Sequence, residues 1–375
     1  ANDKLVQVSQ GKFLIFMLSR QSEPSNDSID RLIAATTFDW KRNNSSLHIS
    51  AIMGVDPEGP SPCSNWSTRY QQAHRALTQA QLDGQTVFTN GEEVRRRVED
   101  EKKIHTELLN FFSSEPGTLQ LNIVYQPIVS ARDRHHLTGA EVLLRCKDDN
   151  IGFVPPNRVV DICERFGLGL QLGRWLFSKV ASEMNQIYQE VGFQGLLSIN
   201  LNPAMMNDGL VHDVQSLLIA GGIPAEVLCL EITEDNAALD FDRINRLMKQ
   251  LHEVGIIFAL DDFGTGHSSL EYVRELKVDR LKIDRCFVDG IEHSPDQARF
   301  LGSIISMAEQ AYMKSVIEGV ENEAQWQLVE AMGGTLIQGY HAHKPMPLSA
   351  YLALILSPET TSQPDPNGSN DHQHR

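Results

Sequence analysis

The sequence has few cysteines, and their positions suit none of the common cysteine sites. They are odd in number and far apart, with no CxxC pair and no histidine at zinc-ligand spacing: Cys63, Cys146, Cys163, Cys229 and Cys286. A disulfide framework and a cysteine-based zinc site are therefore not expected. We interpret the cysteines as reduced thiols, which predicts a cytoplasmic protein.

Long apolar runs are also missing. No stretch approaches the roughly 18–20 residues that a membrane-spanning helix needs, and no signal peptide is recognisable. Because the chain starts at Ala1 rather than at a methionine, we expect a fragment whose upstream part could carry a membrane anchor or a sensor.

Basic residues are outnumbered, since 33 Lys and Arg face 49 Asp and Glu and the formal net charge is −16. Nucleic-acid polymers are bound by surfaces rich in Lys and Arg, so we do not expect such a polymer as partner. A small phosphorylated ligand held through metal ions is not excluded. The length of 375 residues predicts two structural units.

Residues 1–92 have the pattern of a small α/β unit. Apolar runs predict strands over 12–18 and 47–55, and helical spacing predicts helices over 27–36 and 66–80. No cluster of titratable residues stands out in this part. We interpret it as a packing or regulatory unit.

From residue 93 onward the organisation changes. Residues 93–118 are predicted as a connecting helix and linker, with the charged helix covering 92–112. Beyond it, strands that alternate with helices predict a closed (β/α)8 barrel over 119–357. The polar segment 358–375 is predicted to be a disordered tail.

The apolar runs of the barrel each end in a polar or charged residue. These residues are Gln126, Glu141 with Arg145, Asn200, Glu231, Asp261, Lys282, Glu318 and Gln338. Because barrel strands end around one mouth, residues far apart in sequence become neighbours there. The sequence therefore predicts a functional site at the mouth.

The ligand atoms expected at this mouth are oxygens. Five carboxylates and one amide come together, from Glu141, Asn200, Glu231, Asp261, Asp262 and Glu318. Such a set suits Mg²⁺ or Mn²⁺ and lacks the His or Cys of a zinc site. The number of carboxylates predicts two ions, with Asp261 as the shared ligand. Taken alone, the Asp261-Asp262 pair would be read as a solvated turn.

Two ions about 4 Å apart can hold the attacking and leaving oxygens of a phosphoryl displacement. Lys282 could orient the attacking water or counter the developing charge. Its alternative role is structural, as the cation that neutralises the acids. Arg145 offers a planar fork to a phosphate oxygen, and its alternative is an ion pair at the rim.

Eight motifs in order carry a resemblance to a known family. They are YQPIV (125–129), EVLLR (141–145), SINLNP (198–203), LEITE (230–234), LDDFGTGHSSL (260–270), LKIDRCFV (281–288), IEGVE (317–321) and QGYHAHKPMP (338–347). From about Leu119 to Pro347 the chain resembles an EAL domain, the module that hydrolyses cyclic di-GMP (c-di-GMP). The resemblance implies a barrel with one antiparallel strand and a product that is the linear dinucleotide pGpG.

The resemblance also implies roles for individual residues. One metal ion would be held by Glu141, Asn200, Glu231 and Asp261, and a second by Asp261, Asp262 and Glu318. Lys282 would position the attacking water, with Glu318 beside it as the other catalytic group. The substrate would contact Gln126, Arg145 and Gln338, and nearby loops would be supported by Glu234, Asp284 and Glu321. Members of the family often pair through the barrel, so a homodimer is expected.

The sequence departs from the EAL pattern at a few positions. Val142 stands for Ala, Cys146 for an aromatic residue, His267 for a Tyr, and 341–343 (HAH) for a mostly apolar run. For His267 we expect a packing or rim role rather than metal ligation. Every position that the resemblance assigns to metal or water is kept.

Residues 1–92 more weakly resemble the second half of a GGDEF domain whose acidic residues are absent. Cyclase activity is therefore not expected. For the barrel, the leading hypothesis is a c-di-GMP phosphodiesterase. One alternative is a c-di-GMP receptor without turnover, and another is a metal-dependent phosphatase of a different phosphate ester.

Overall fold

The computed structural model describes residues 4–9, 12–16, 38–42, 45–49, 52–55, 71, 73–74, 76–78, 81, 87–89, 92–233, 241–264 and 276–357. The predicted helix 27–36, Glu234, His267 and the predicted tail 358–375 lie outside these residues. The chain divides into two compact units, Ala1–Lys103 and Ile104–Arg375.

The described residues of the first unit form three two-stranded pairings. The strands are β1 Lys4–Ser9, β2 Lys12–Phe16, β3 Phe38–Arg42, β4 Ser45–Ile49, β5 Met53–Val55 and β6 Val87–Thr89. β1 pairs with β2 and β3 with β4 in antiparallel fashion, whereas β5 and β6 are parallel. The single strand predicted over 47–55 is wrong, because its two ends belong to β4 and β5, which have different partners.

The second unit is built on one closed sheet. Its strands are β7 Leu119–Ser130, β8 Leu137–Asp148, β9 Gly152–Val154, β10 Leu196–Asn200, β11 Leu228–Thr233, β12 Ile257–Phe263, β13 Arg280–Ile283, β14 Lys314–Glu318 and β15 Leu336–Gln338. Neighbouring strands pair from β10 through β15 to β7 and β8, and β8 pairs back with β10. An eight-stranded barrel results, with β9 added outside it, and the predicted fold class is confirmed.

The first barrel strand runs against the others. β7 is antiparallel to both of its neighbours, β15 and β8. β7 and β8 form a hairpin of two 12-residue strands. The sequence predicts that Gln126 and Glu141 end their strands, and this prediction is wrong. They face each other within the ladder, because backbone pairing continues past them.

The helix α1, Glu92–Phe112, begins in the first unit and ends in the second. Helices of the second unit cover the outside of the barrel. They are α2 Pro156–Arg165, α3 Gly169–Asn185, α4 Leu210–Gly221, α5 Phe241–His252, α6 Pro295–Gln310, α7 Glu323–Ala331 and α8 Leu348–Ile355. The helix predicted over 92–112 is confirmed by α1. Side-chain caps start α6 and α7. The side chain of Ser294 accepts a hydrogen bond from the backbone N–H of Gln297, and that of Asn322 accepts one from the backbone N–H of Gln325.

The regularly spaced apolar residues that predict the helices form the helix faces that are buried against the barrel. In α5 the buried residues are Ile244, Leu247, Met248 and Leu251, which lie three and four apart. On the strand side, Phe258 and Leu260 of β12 are buried in the same core. Within the described part of the chain, no helix is both long and apolar enough to cross a membrane.

Candidate active site

The centre of the mouth is the ammonium group of Lys282. Its Nζ lies 2.7 Å from Glu231 Oε2, 2.8 Å from Glu318 Oε1, 3.0 Å from Asp261 Oδ2 and 3.3 Å from Glu141 Oε2. The side chain of Lys282 is 2 % exposed. Four of the five carboxylates predicted from the sequence therefore meet at one buried cation.

Strand register brings these residues together. Asn200 at the end of β10 is level with Glu231 on β11, and Glu318 at the end of β14 is level with Gln338 at the end of β15. Residues that are level on neighbouring strands point to the same face of a sheet. The side chains thus enter the mouth from strands that are far apart in sequence.

Glu141 receives most of the hydrogen bonds in the cluster. Asn200 Nδ2 donates to its Oε1 at 2.7 Å, and Gln338 Nε2 donates to its Oε2 at 2.6 Å. The same amide of Gln338 also donates to Gln126 Oε1 at 3.2 Å. Of the three residues predicted to contact substrate, Gln338 therefore reaches the ligand cluster directly, and Gln126 reaches it through Gln338.

Burial and neighbouring charge set the pKa values in opposite directions. Burial raises the pKa of Glu141, but Lys282 and the hydrogen bonds from Gln338 and Asn200 bring that pKa below its ordinary value. Burial raises the pKa of Glu231 well above its ordinary value, against the pull of Lys282. Burial likewise raises the pKa of Glu318 to about 8. The four carboxylates together raise the pKa of Lys282, although burial acts against them.

Asp261 and Asp262 lie at an irregularity in β12. The pairing with β13 shifts register between Leu260 and Phe263, as in a β-bulge, which commonly re-aims side chains beside active sites. Asp261 is buried, whereas Asp262 is exposed and has a backbone φ of 54°. Burial, followed by the charge of Asp261, raises the pKa of Asp262. The two carboxylates thus have different surroundings.

The donor set fits a hard divalent cation. Glu141, Glu231 and Asp261 each offer an oxygen, all within 4.8 Å of one another, and all three residues are buried. Asn200 adds an amide beside Glu141. Carboxylate and amide oxygens are the ligands that Mg²⁺ and Mn²⁺ prefer.

The other predicted residues that the structure describes make their polar contacts outside the cluster. Arg145 is half-buried on β8 and donates to the carbonyl of Leu144 at 2.7 Å. None of the carboxylates in the described ranges forms an ion pair with it, so the rim ion pair finds no support there. Asp284 accepts from the backbone N–H of Cys286 at 2.8 Å, and Glu321 pairs with Arg285 at 2.7 Å.

One buried cation was missed by the sequence analysis. Arg280 lies two residues before Lys282 on β13 and is 7 % exposed. The signal was available, since residues two apart on a strand share a face. A charged residue at that distance from Lys282 should have been placed inside the barrel.

The comparison with known families decides the identity of the barrel. The family model described as EAL domain matches residues 114–345. The chain belongs to the EAL domain family. This EAL chain is also similar to the bifunctional diguanylate cyclase/cyclic di-GMP phosphodiesterase MucR of Pseudomonas aeruginosa, with 27 % identity over 359 residues, which are 95 % of this chain and 51 % of MucR.

Further relatives match the barrel part. The cyclic di-GMP phosphodiesterase NbdA of P. aeruginosa is 34 % identical over 236 residues, 62 % of this chain and 30 % of NbdA. The probable cyclic di-GMP phosphodiesterase PdeN of Escherichia coli is 32 % identical over 244 residues, 64 % of this chain and 46 % of PdeN. The chain spans about half or less of the length of these relatives.

Solved structures agree with the fold. The MucR phosphodiesterase in complex with c-di-GMP is 30 % identical, with a TM-score of 0.60 over 66 % of this chain and 99 % of that one. The FimX EAL domain of P. aeruginosa bound to c-di-GMP is 24 % identical, with a TM-score of 0.57 over 65 % of this chain and 96 % of that one. The FimX likeness supports the fold alone.

Proposed function

We propose that this EAL domain hydrolyses c-di-GMP to linear pGpG. The observation that carries the proposal is the convergence of Glu141, Glu231, Asp261 and Glu318 on Lys282. The similarity to MucR, NbdA and PdeN supports c-di-GMP as the substrate. In the reaction, one water adds across one phosphodiester bond, and the ring opens when the bond from phosphorus to the ribose oxygen breaks.

Two divalent ions, Mg²⁺ or Mn²⁺, are proposed as cofactors. Glu141, Asn200, Glu231 and Asp261 would hold one, and Asp261, Asp262 and Glu318 would hold the other. When bound, such ions lower the pKa of water and polarise a phosphoryl oxygen. The irregularity in β12 supports this division, since it turns Asp261 inward and leaves Asp262 exposed.

The residues of the chain would supply orientation and charge. Lys282 keeps its proton among four acids, so it acts as a fixed positive group that orients water rather than as a base. Arg145 has no carboxylate partner among the described residues and would bind a phosphate oxygen of the substrate through its planar fork. Gln126 and Gln338, which share a hydrogen bond, would complete the substrate contacts.

Loop support is proposed for three acids. Asp284 holds the turn Arg285–Phe287 through Cys286. Glu321 pairs with Arg285, the first residue of that turn. Glu234 would fasten the loop that follows β12. The homodimer, the cytoplasmic location and the GGDEF-like character of residues 1–92 stay predictions, and sedimentation equilibrium would test the first of them.

Turnover of c-di-GMP by the purified chain with Mg²⁺ or Mn²⁺ tests the proposal. We expect pGpG to accumulate, to stop when EDTA is added, and to be unaffected by GTP. Tight binding of c-di-GMP without any linear product at high protein concentration would show that the domain is a receptor and not an enzyme. Faster hydrolysis of another phosphate ester than of c-di-GMP would show that the substrate is wrong.

A further inference from the structure

The barrel interior holds a second buried cation below Lys282. Arg280 and Lys282 are two residues apart on β13, so both side chains enter the barrel. Whereas Lys282 contacts four carboxylates, Nη1 of Arg280 is buried without a hydrogen-bond partner among the described residues. No carboxylate of those residues lies within 4.0 Å of its guanidinium group. This isolation is unusual, because a buried charge without a partner costs free energy.

Register places Arg280 level with one of the proposed metal ligands. Glu231 on β11 pairs with Ala259 on β12, and Ala259 pairs with Arg280 on β13. All three residues therefore stand in one row across three strands. Ala259 is 1 % exposed and has only a methyl group, so little separates the long side chain of Arg280 from Glu231. Burial lowers the pKa of Arg280, and the negative charge of Glu231 acts against that shift.

The other groups around Arg280 do not neutralise it. Cys229 is fully buried, and burial raises its pKa to about 12, so it stays a neutral thiol. Asp279 is 44 % exposed and is already engaged by His252 at 3.0 Å and by the backbone N–H of Phe258 at 2.9 Å. Arginine itself stays charged inside proteins. Glu231 is therefore the member of the acid cluster on which the positive charge of Arg280 acts.

We propose that Arg280 is an electrostatic positioning residue that offsets part of the negative charge of the mouth without ligating anything. The inference rests on the proposed function. Metal ligands lose their protons when ions bind, and the five ionised carboxylates with the ammonium of Lys282 then carry four net negative charges, which two divalent ions balance. Arg280 then leaves one net positive charge at the mouth, and this charge favours a phosphodiester anion. In the absence of ions, the same charge weakens the attraction of the mouth for cations.

The proposal predicts opposite effects on cation and anion binding. In Arg280→Met, which keeps an unbranched apolar stem and removes the charge, Mn²⁺ should bind more tightly, by about tenfold or more at an effective dielectric constant near 20. Metal-free protein should bind c-di-GMP more weakly in the same variant. Arg280→Lys should restore both affinities to within about twofold of the wild-type values. A structural disturbance of the site would weaken the binding of both Mn²⁺ and c-di-GMP. Only a charge effect would change the two affinities in opposite directions.

The experiment is calorimetric titration of metal-free protein with Mn²⁺ and, separately, with c-di-GMP, together with a melting curve for each variant. Arg299→Met is the matched control, because it removes one positive charge from an exposed site paired with Asp296. We expect unchanged affinities in the control and no loss of melting temperature in Arg280→Met, since an unpaired buried charge is replaced by an apolar group. Unchanged or jointly weakened affinities in Arg280→Met would overturn the proposal.

The two proposals can fail separately. A wild-type protein that binds Mn²⁺ and c-di-GMP but forms no pGpG refutes the phosphodiesterase, while the opposite shifts in Arg280→Met would still support the role of Arg280. An active wild-type protein with unshifted affinities in Arg280→Met refutes the role of Arg280 alone. A fall in melting temperature without an affinity change would assign Arg280 a purely structural role and would likewise refute it.

Discussion

The side-chain amide of Gln338 donates a 2.6 Å hydrogen bond to the carboxylate of Glu141, although 197 positions separate them in the chain. This bond spans one strand of the barrel, because β15 and β8 are not direct neighbours and β7 lies between them. Gln126 on β7 receives the second bond from the same amide. One amide therefore joins three strands at the mouth.

Replacing Gln338 by Met should destabilise the metal-free protein by about 1–2 kcal/mol. Glu141 loses a buried donor, and the loss is partly offset because the Oε1 of Gln338, which is buried without a partner among the described residues, is removed as well. Urea denaturation in EDTA measures the change. Gln327→Met is the control, since its bond to Glu323 is exposed. Equal stability of the two variants would contradict the prediction.

The sequence identified the strands that carry the site because each of them changes from apolar to polar at a fixed place. Asn200, Glu318 and Gln338 do end their strands. The same rule failed for Gln126 and Glu141, where a polar side chain enters the barrel from the middle of a long hairpin. It also missed the ends of three other strands, since pairing continues for one or two residues past Glu231, Asp261 and Lys282. A polar residue that points into the barrel and a polar residue at a strand end both appear in the sequence as a polar residue after an apolar run.

Contacts between the side chains could not be predicted. That Lys282 meets four carboxylates at once depends on the tilt and register of five strands, and no spacing along the chain encodes those distances. The different positions of Asp261 and Asp262 depend on the shift of pairing between β12 and β13. Adjacent aspartates give no sign of which one turns inward.

Replacing Lys282 should show how much its positive charge stabilises the four buried carboxylates. Lys282→Met leaves several buried carboxylates without their cation, and we expect a loss of about 3–5 kcal/mol of unfolding free energy in EDTA. Mn²⁺ should restore a large part of the loss, because a divalent ion replaces the missing charge. Lys179→Met, which breaks a partly exposed pair with Glu183, should cost less than about 1 kcal/mol. A loss of equal size with and without Mn²⁺ would show that Lys282 acts through packing.

Asp261→Asn should abolish the proposed hydrolysis while the protein stays folded. Asn keeps the size of the side chain but removes the charge that the shared ligand of two ions requires. We expect no pGpG by chromatography, no rise of melting temperature on adding Mn²⁺, and a melting temperature in EDTA no lower than that of the wild type, because repulsion among the acids falls. Asp296→Asn, at an exposed position, should behave as the wild type. Retained turnover in Asp261→Asn would show that the ligand set is wrong.

Gly264→Ala should disturb the turn that follows Asp261 and Asp262. Gly264 has a backbone φ of 94°, and a Cβ at this position would collide with the ring of Phe287. We expect a loss of about 1–3 kcal/mol and lower turnover, since β12 would shift beside its two aspartates. Gly333→Ala is the matched control: its φ is 84°, but nothing lies within 4 Å of its Cβ position.

The comparison of the two glycines separates backbone strain from crowding. Gly333→Ala should lose stability through strain alone and keep full turnover, because it lies at the end of α7. The double variant Gly264→Ala with Phe287→Leu should regain part of the turnover that Gly264→Ala loses, because the smaller side chain makes room for the new methyl group. Equal stability and equal turnover in Gly264→Ala and Gly333→Ala would show that Phe287 does not support the turn.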